Sequence, residues 1–176
     1  MNNRTMLAIG VATLALNFLA TPEASAATEG RTEIITAAGA CVPFSPTGQI
    51  RYAASSVRNA GTSTFYLACA QQGDWQASGN GTTVASVYAQ NSSAEEITIN
   101  CTLRPGYGGG AGTTTSGGAY PKSLTLPAGN GNYMLWDAGV VIGAGARFAN
   151  PNFTCTMPAG AAINFLFTTY DEEVGT

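Results

Sequence analysis

The chain has 176 residues, of which 10% are charged, with a net charge of −3 and no histidine. The few basic residues are scattered, so no basic patch marks nucleic acid or an anionic membrane as a partner. The lack of histidine excludes Ser-His-Asp and Cys-His catalysis and removes the commonest zinc ligand.

The chain opens with the pattern of a secretory signal peptide over residues 1–26. Arg4 is a short positive start, Met6–Ala20 is mostly apolar, and Ala24-Ser25-Ala26 is a small-x-small cleavage signal. The apolar run is short for a membrane-spanning helix of about 20 residues. Export to the periplasm or the extracellular space is expected, with residues 27–176 forming a single domain long enough for a real core.

Ala27–Arg31 is expected to be a loose terminus, and Thr32–Thr36 a short strand. After Gly39 and Cys41-Val42-Pro43-Phe44, Ser45-Pro46-Thr47-Gly48 predicts a turn. Gln49–Ala54 is a candidate strand, and Arg58–Thr62 a turn. In the strand Ser63–Ala70, Phe65, Leu67 and Cys69 share one face. Gln71–Thr82 is a polar loop holding Asp74 and Trp75. Thr83–Gln90 is a strand with Val84, Ser86 and Tyr88 opposite Ala85, Val87 and Ala89, and Asn91–Ala94 turns the chain. The clearest strand follows: Ile97, Ile99, Cys101 and Leu103 alternate with Thr98, Asn100, Thr102 and Arg104, the period of two of a half-buried strand.

Residues 106–118 contain seven glycines and read as a long exposed loop, with Tyr107 inside it and Tyr120 just beyond. Ser123–Pro127 and Tyr133–Asp137 are strands around the turn signal Gly129-Asn130-Gly131-Asn132. Trp136 alternates with Met134, which marks it as core or subunit contact. Val140–Gly145 is ambiguous. Asn152–Pro158 places Phe153, Cys155 and Met157 on one face, Ala159-Gly160 turns, and Ala162–Tyr170 closes the series with Ile163, Phe165 and Phe167 inward. Asp171-Glu172-Glu173 is expected to be a frayed acidic end.

About nine short strands with Gly, Pro and Asn turns, and no amphipathic helix, predict an all-β antiparallel sandwich, Ig-like or jelly-roll-like. Four cysteines in an exported chain imply two disulfides. The rows at 97–103, 153–157 and 163–167 read as one buried layer, which favours Cys101–Cys155 and leaves Cys41–Cys69. Each loop so closed would stabilise the fold by roughly 3.5–4 kcal/mol.

No motif fixes a reaction. Glycoside hydrolysis needs two carboxylates flanking the scissile bond; Asp74, Glu95, Glu96, Asp137 and Asp171–Glu173 are the candidates, and with no spacing that pairs any two in a cleft they are expected to be solvated loop and strand-end charges. The glycine-rich stretch lacks the Lys-Ser/Thr of a phosphate-cradling loop. No cofactor or metal is implied. The aromatics offer a binding reading: Trp75 beside Asp74, with Tyr107 and Tyr120, could stack on sugar rings while neighbouring polar groups bond hydroxyls.

Cys41-Val42-Pro43, the strand ending in Cys69, Val87-Tyr88-Ala89-Gln90-Asn91 leading to Cys101-Thr102-Leu103, and Phe153-Thr154-Cys155-Thr156-Met157-Pro158 together resemble a loose group of secreted bacterial proteins with four cysteines and no assigned function. That resemblance implies a β-sandwich and no activity. A second similarity, to chaperone-assembled fimbrial subunits, implies that Ala27–Ala40 completes a neighbouring subunit; the residues after Tyr170 depart from that pattern. The expected function is a secreted, non-enzymatic structural or surface-interaction module. A carbohydrate-binding domain or a fimbrial-type assembly subunit is the alternative, so the partner is a glycan or another protein subunit.

Overall fold

The structure, a computed structural model, describes residues 27–44, 49–71, 81–105 and 118–174. The expected signal peptide at 1–26, the turn at 45–48, Asp74, Trp75, and Tyr107 with its glycine-rich neighbours lie outside the described residues.

The elements run β1 (Ala27–Thr36), α1 (Ala37–Ala40), β2 (Cys41–Pro43), β3 (Ile50–Tyr52), β4 (Val57–Asn59), β5 (Phe65–Ala70), β6 (Thr82–Asn91), β7 (Ile97–Pro105), β8 (Tyr120–Leu126), β9 (Gly131–Asp137), α2 (Ala138–Val141), β10 (Pro151–Met157) and β11 (Ala161–Val174). They form two antiparallel sheets. One has the order β3-β4-β11-β6-β9, with β1 also paired to β11; the other has the order β2-β5-β10-β7-β8. β4 pairs with Ala162 and Ile163, and β1 with Phe165 to Val174, so these two strands lie end to end along one side of β11. No helix among the described residues is long and apolar enough to cross a membrane.

The inner faces supply the core. From the five-stranded sheet come Phe65, Leu67, Ile99, Leu103, Phe153 and Met157; from the six-stranded sheet come Ala85, Val87, Ala89, Met134, Trp136, Ile163 and Leu166, all buried. The Trp136 ring lies 5.3 Å from that of Phe153. Its indole N–H donates to the Tyr120 carbonyl at 2.7 Å, which satisfies the one polar group of a buried Trp.

Cys41 stands opposite Cys69 across β2 and β5, and Cys101 opposite Cys155 across β7 and β10, and each pair is bonded. Both bridges therefore lie within the five-stranded sheet and neither joins the two sheets. Apolar packing joins them, together with two buried asparagines placed in the same way. Asn59, at the end of β4, donates from Nδ2 to the carbonyls of Ser63 (2.8 Å) and Met157 (2.7 Å), and its Oδ1 accepts from the Gly61 N–H (2.9 Å). Asn91, at the end of β6, donates to the carbonyls of Glu95 (2.7 Å) and Leu126 (3.0 Å) and accepts from the Ser93 N–H (2.8 Å). In each case one amide closes an Asx turn and reaches across to the opposite sheet.

The two corners meet at Gly160. Its N–H donates to the Asn59 carbonyl (3.0 Å), and its carbonyl accepts from the Ser92 N–H (2.8 Å). Its φ is +79°, and a Cβ there would lie 2.6 Å from Ser93 Cβ and 2.9 Å from Ser93 N. Left-handed backbone and backbone crowding act together, so Gly160→Ala is expected to cost about 2–3 kcal/mol. Urea denaturation would show this as a lower midpoint at unchanged m-value.

The structure departs from the sequence reading in four places. It has eleven strands, because β2 and β4, at three residues each, are too short to display a period of two. Ala27–Arg31 is not loose: it belongs to β1, paired from Ala27 opposite Val174 onward. Nor do Asp171 and Glu172 fray, since they continue β11. Arg147 binds Asp171 at 2.8 Å and Arg31 binds Glu172 at 2.7 Å. The hydrogen bond that Arg31 donates to Glu172, with the nearby charge of Glu29, holds the Arg31 guanidinium above its usual range. Backbone pairing and ion pairs stabilise this polar edge, so it carries no apolar periodicity. The ambiguous stretch Val140–Gly145 opens on the last two residues of the short helix α2, whose start is capped by Asp137 Oδ1, which accepts from the Gly139 N–H at 2.8 Å. The fourth departure, in β11, creates the candidate site.

Candidate functional site

Phe165 and Phe167 are expected inward from an unbroken alternation with Ile163. They point outward. Ile163 pairs with Ala89 and Phe165 with Tyr88, so Asn164 is an extra residue in β11. One inserted residue moves every following side chain to the other face of the sheet. Ile163 stays in the core, Leu166 and Thr168 take the next inward positions, and the two phenylalanines turn out.

There they meet two tyrosines from neighbouring strands. Phe165 is opposite Tyr88 in β6, and Tyr88 is opposite Tyr133 in β9. The Tyr88 and Phe165 rings are stacked, 4.8 Å apart and inclined by 2°. Tyr133 crosses the others edge-to-face, at 4.8 Å from Tyr88, 5.9 Å from Phe165 and 5.7 Å from Phe167. Such geometry matches the ring quadrupoles and fixes the ring. Tyr133 is 46% exposed, while the other three are half-buried. One ring is thus presented to solvent and held from the side by three neighbours on the same face.

Glycine and polar residues shape the surroundings. A Cβ on Gly131 would lie 2.5 Å from the Tyr88 hydroxyl oxygen, so the bare backbone there leaves room for that ring. Asn132 Oδ1 accepts from the Tyr133 N–H at 2.8 Å. Asn164 donates to Gln90 Oε1 at 3.1 Å beside the rings. The next register row is Ile34, Phe167, Ser86 and Leu135. Ser86 is buried there, with its Oγ lacking a hydrogen-bond partner. The two rows, with Thr36 opposite Phe165, contain no carboxylate and no cation. These two rows are aromatic and hydroxylated, and charged side chains flank them: Asp137 opposite Val84 on one side, Arg58 opposite Ala162 and Arg51 opposite Arg58 on the other.

The residues singled out from sequence lie elsewhere. Tyr120 is half-buried at the start of β8, its ring 6.1 Å from Phe148, and it seals the core edge. Asp74, Trp75 and Tyr107 are outside the described residues. The chain ends flanking their two stretches lie together: the Gln71 N–H donates to the Pro151 carbonyl at 3.1 Å, and Pro105 pairs with Pro151. A shallow cleft of about 450 Å³ there is lined by Ala70, Gln71, Asn150 and Asn152. Among the described residues, no three His, Cys, Asp or Glu side chains gather as metal ligands. Sequence reasoning missed Tyr88, Tyr133, Phe165 and Phe167 as a group. The available signal was that Tyr88 and Tyr133 alternate with core residues on their own strands.

No protein-family model matches the chain, and no curated protein matches it. Solved structures with a similar layout exist. One, described as PfGH50B, has a TM-score of 0.45 and 10% identity over 79% of this chain and 23% of that one. A Podospora anserina GH26-CBM35 β-(1,4)-mannanase has a TM-score of 0.41 and 10% identity over 78% of this chain and 27% of that one. This chain thus spans about a quarter of the length of these two. A family 11 carbohydrate-binding module from Clostridium thermocellum, in complex with a β-1,3-1,4-mixed-linked tetrasaccharide, has a TM-score of 0.35 and 9% identity over 85% of this chain and 88% of that one.

Proposed function

We propose that the protein is a non-catalytic carbohydrate-binding module whose ligand, a neutral glycan, stacks on Tyr133. The observation that supports this reading is the exposed Tyr133 ring, braced edge-to-face by Tyr88, Phe165 and Phe167 in two register rows without a charged side chain. The C–H face of a pyranose is apolar and its rim is hydroxylated. An aromatic platform beside amides and hydroxyls matches both properties. A fixed ring loses little entropy on binding, so contact area converts efficiently to affinity. A shallow open face buries only part of each sugar, which sets an expected Kd of about 0.1–1 mM.

Affinity gel electrophoresis against neutral β-glucan, mannan, xylan and galactan, followed by calorimetry, tests the proposal. Retardation on at least one polymer, competed by its oligosaccharide, is the expected result. No retardation on any neutral polymer would overturn it.

A further inference from the structure

We propose that β1 is the interface of a symmetric dimer, pairing edge to edge with β1 of a second copy. The proposal stands whether or not the aromatic face binds a glycan. Within the chain, β1 pairs only with β11. It is ten residues long, whereas the other strands ending these sheets at the same side, β2 and β3, have three each. At the opposite side β9 and β8 cover one another, through the Trp136–Tyr120 hydrogen bond and one from Lys122 Nζ to the Leu135 carbonyl. Among the described residues, β1 is therefore the one long strand whose second edge has no partner. A free edge of that length is a template for another strand.

The side chains select a second copy in one register. A dyad normal to the sheet pairs residues of like parity, so the candidate registers are few. A centre on Gly30 sets Arg31 opposite Glu29 of the second copy, but Glu29 already binds Arg31 within its own chain at 3.1 Å; a centre on Arg31 opposes two arginines, and a centre on Glu33 opposes two glutamates. A centre on Thr32 places Arg31 opposite Glu33 of the second copy, twice, and opposite-charge pairs of this kind stabilise a sheet where like charges destabilise it. That centre also sets Ile34 opposite Gly30 of the second copy. Ile34 is 67% exposed, and a glycine opposite leaves its side chain room to cover bare backbone. Glu33 makes no ion pair within the chain among the described residues, so it is available to a partner. The same dyad keeps both Tyr133 clusters on one side of the joined sheet.

Sedimentation velocity up to about 100 µM, with hydrogen exchange of β1 at low and high concentration, provides the test. The expected result is a concentration-dependent dimer that slows exchange in β1. Glu33→Arg should raise the dimer Kd about tenfold or more, with circular dichroism unchanged. Mixing Glu33→Arg with Arg31→Glu restores both opposite-charge pairs and should recover a heterodimer. A protein that stays monomeric throughout overturns the proposal. So does a dimer that neither protects β1 nor responds to Glu33→Arg, because it would use another surface.

Discussion

Tyr133→Ala is expected to remove glycan binding while lowering the stability of the fold by about 2 kcal/mol. The ring is 46% exposed and sits beside its neighbours. The fold loses only edge-to-face contacts, each of about 0.5–1.5 kcal/mol and partly replaced by water. The ligand loses its platform. Stacking on an aromatic face contributes about 1–3 kcal/mol per ring, and from an expected Kd near 1 mM such a loss moves binding out of measurable range. Tyr133→Phe keeps the ring and should hold affinity within about threefold. Calorimetry on both variants, with thermal melts as the control, separates the outcomes. Unchanged affinity in Tyr133→Ala would place the ligand on another surface.

Asn91→Ala is expected to destabilise the protein by about 3–5 kcal/mol, the largest stability effect of a single change proposed here. The side chain is fully buried. Its removal leaves the Leu126 carbonyl and the Ser93 N–H without that partner, while the Glu95 carbonyl keeps its bond from Ser93 Oγ at 2.8 Å. A buried polar group left unpaired costs about 1–3 kcal/mol, more than the net gain of the bond it once made. Asn91→Asp does not rescue, because a carboxylate cannot donate to two carbonyls. Asn59→Ala should behave alike, since it orphans the Ser63 and Met157 carbonyls in the same geometry. With domain stabilities of about 5–15 kcal/mol, either variant should lose a large share of its resistance to urea. A shift below about 1 kcal/mol would mean that water substitutes for the amide.

The buried layer was legible where alternation runs unbroken. Ile97–Leu103 and Phe153–Met157 each announce their inward face, and the structure buries them as read, apart from a half-buried Ile97 at the strand end; in Thr83–Gln90 the alternation separates two faces, and the structure puts Ala85, Val87 and Ala89 inward. Alternation failed in β11 because a bulge at Asn164 adds one residue without changing composition. It also failed in β1, whose partners are backbone groups and charges. The candidate site escaped notice for a further reason. Periodicity tells on which face a residue lies, and Tyr88 and Tyr133 could be read as outward. That β6, β9 and β11 are neighbours is a non-local fact, and the site exists only through that adjacency. Loop composition instead drew attention to Trp75 and Tyr107, because polar surroundings are the local sign of exposure.

The middle strands of the two sheets have a consequence for how the protein is made. β10 is the central strand of one sheet and β11 of the other, and they are consecutive, joined by the turn at Gly160. Synthesis therefore delivers both keystones after all their neighbours. Until they emerge, β5 has no bridge to β7, β4 has none to β6, and the cores of both layers lack their middle. The nascent chain can form only outlying pairs such as the consecutive strands β3 with β4 and β7 with β8. Such dependence on distant contacts slows folding. It also means that the two sheets can close only after β10 and β11 have left the ribosome, so their neighbours wait as unpaired strand edges until then.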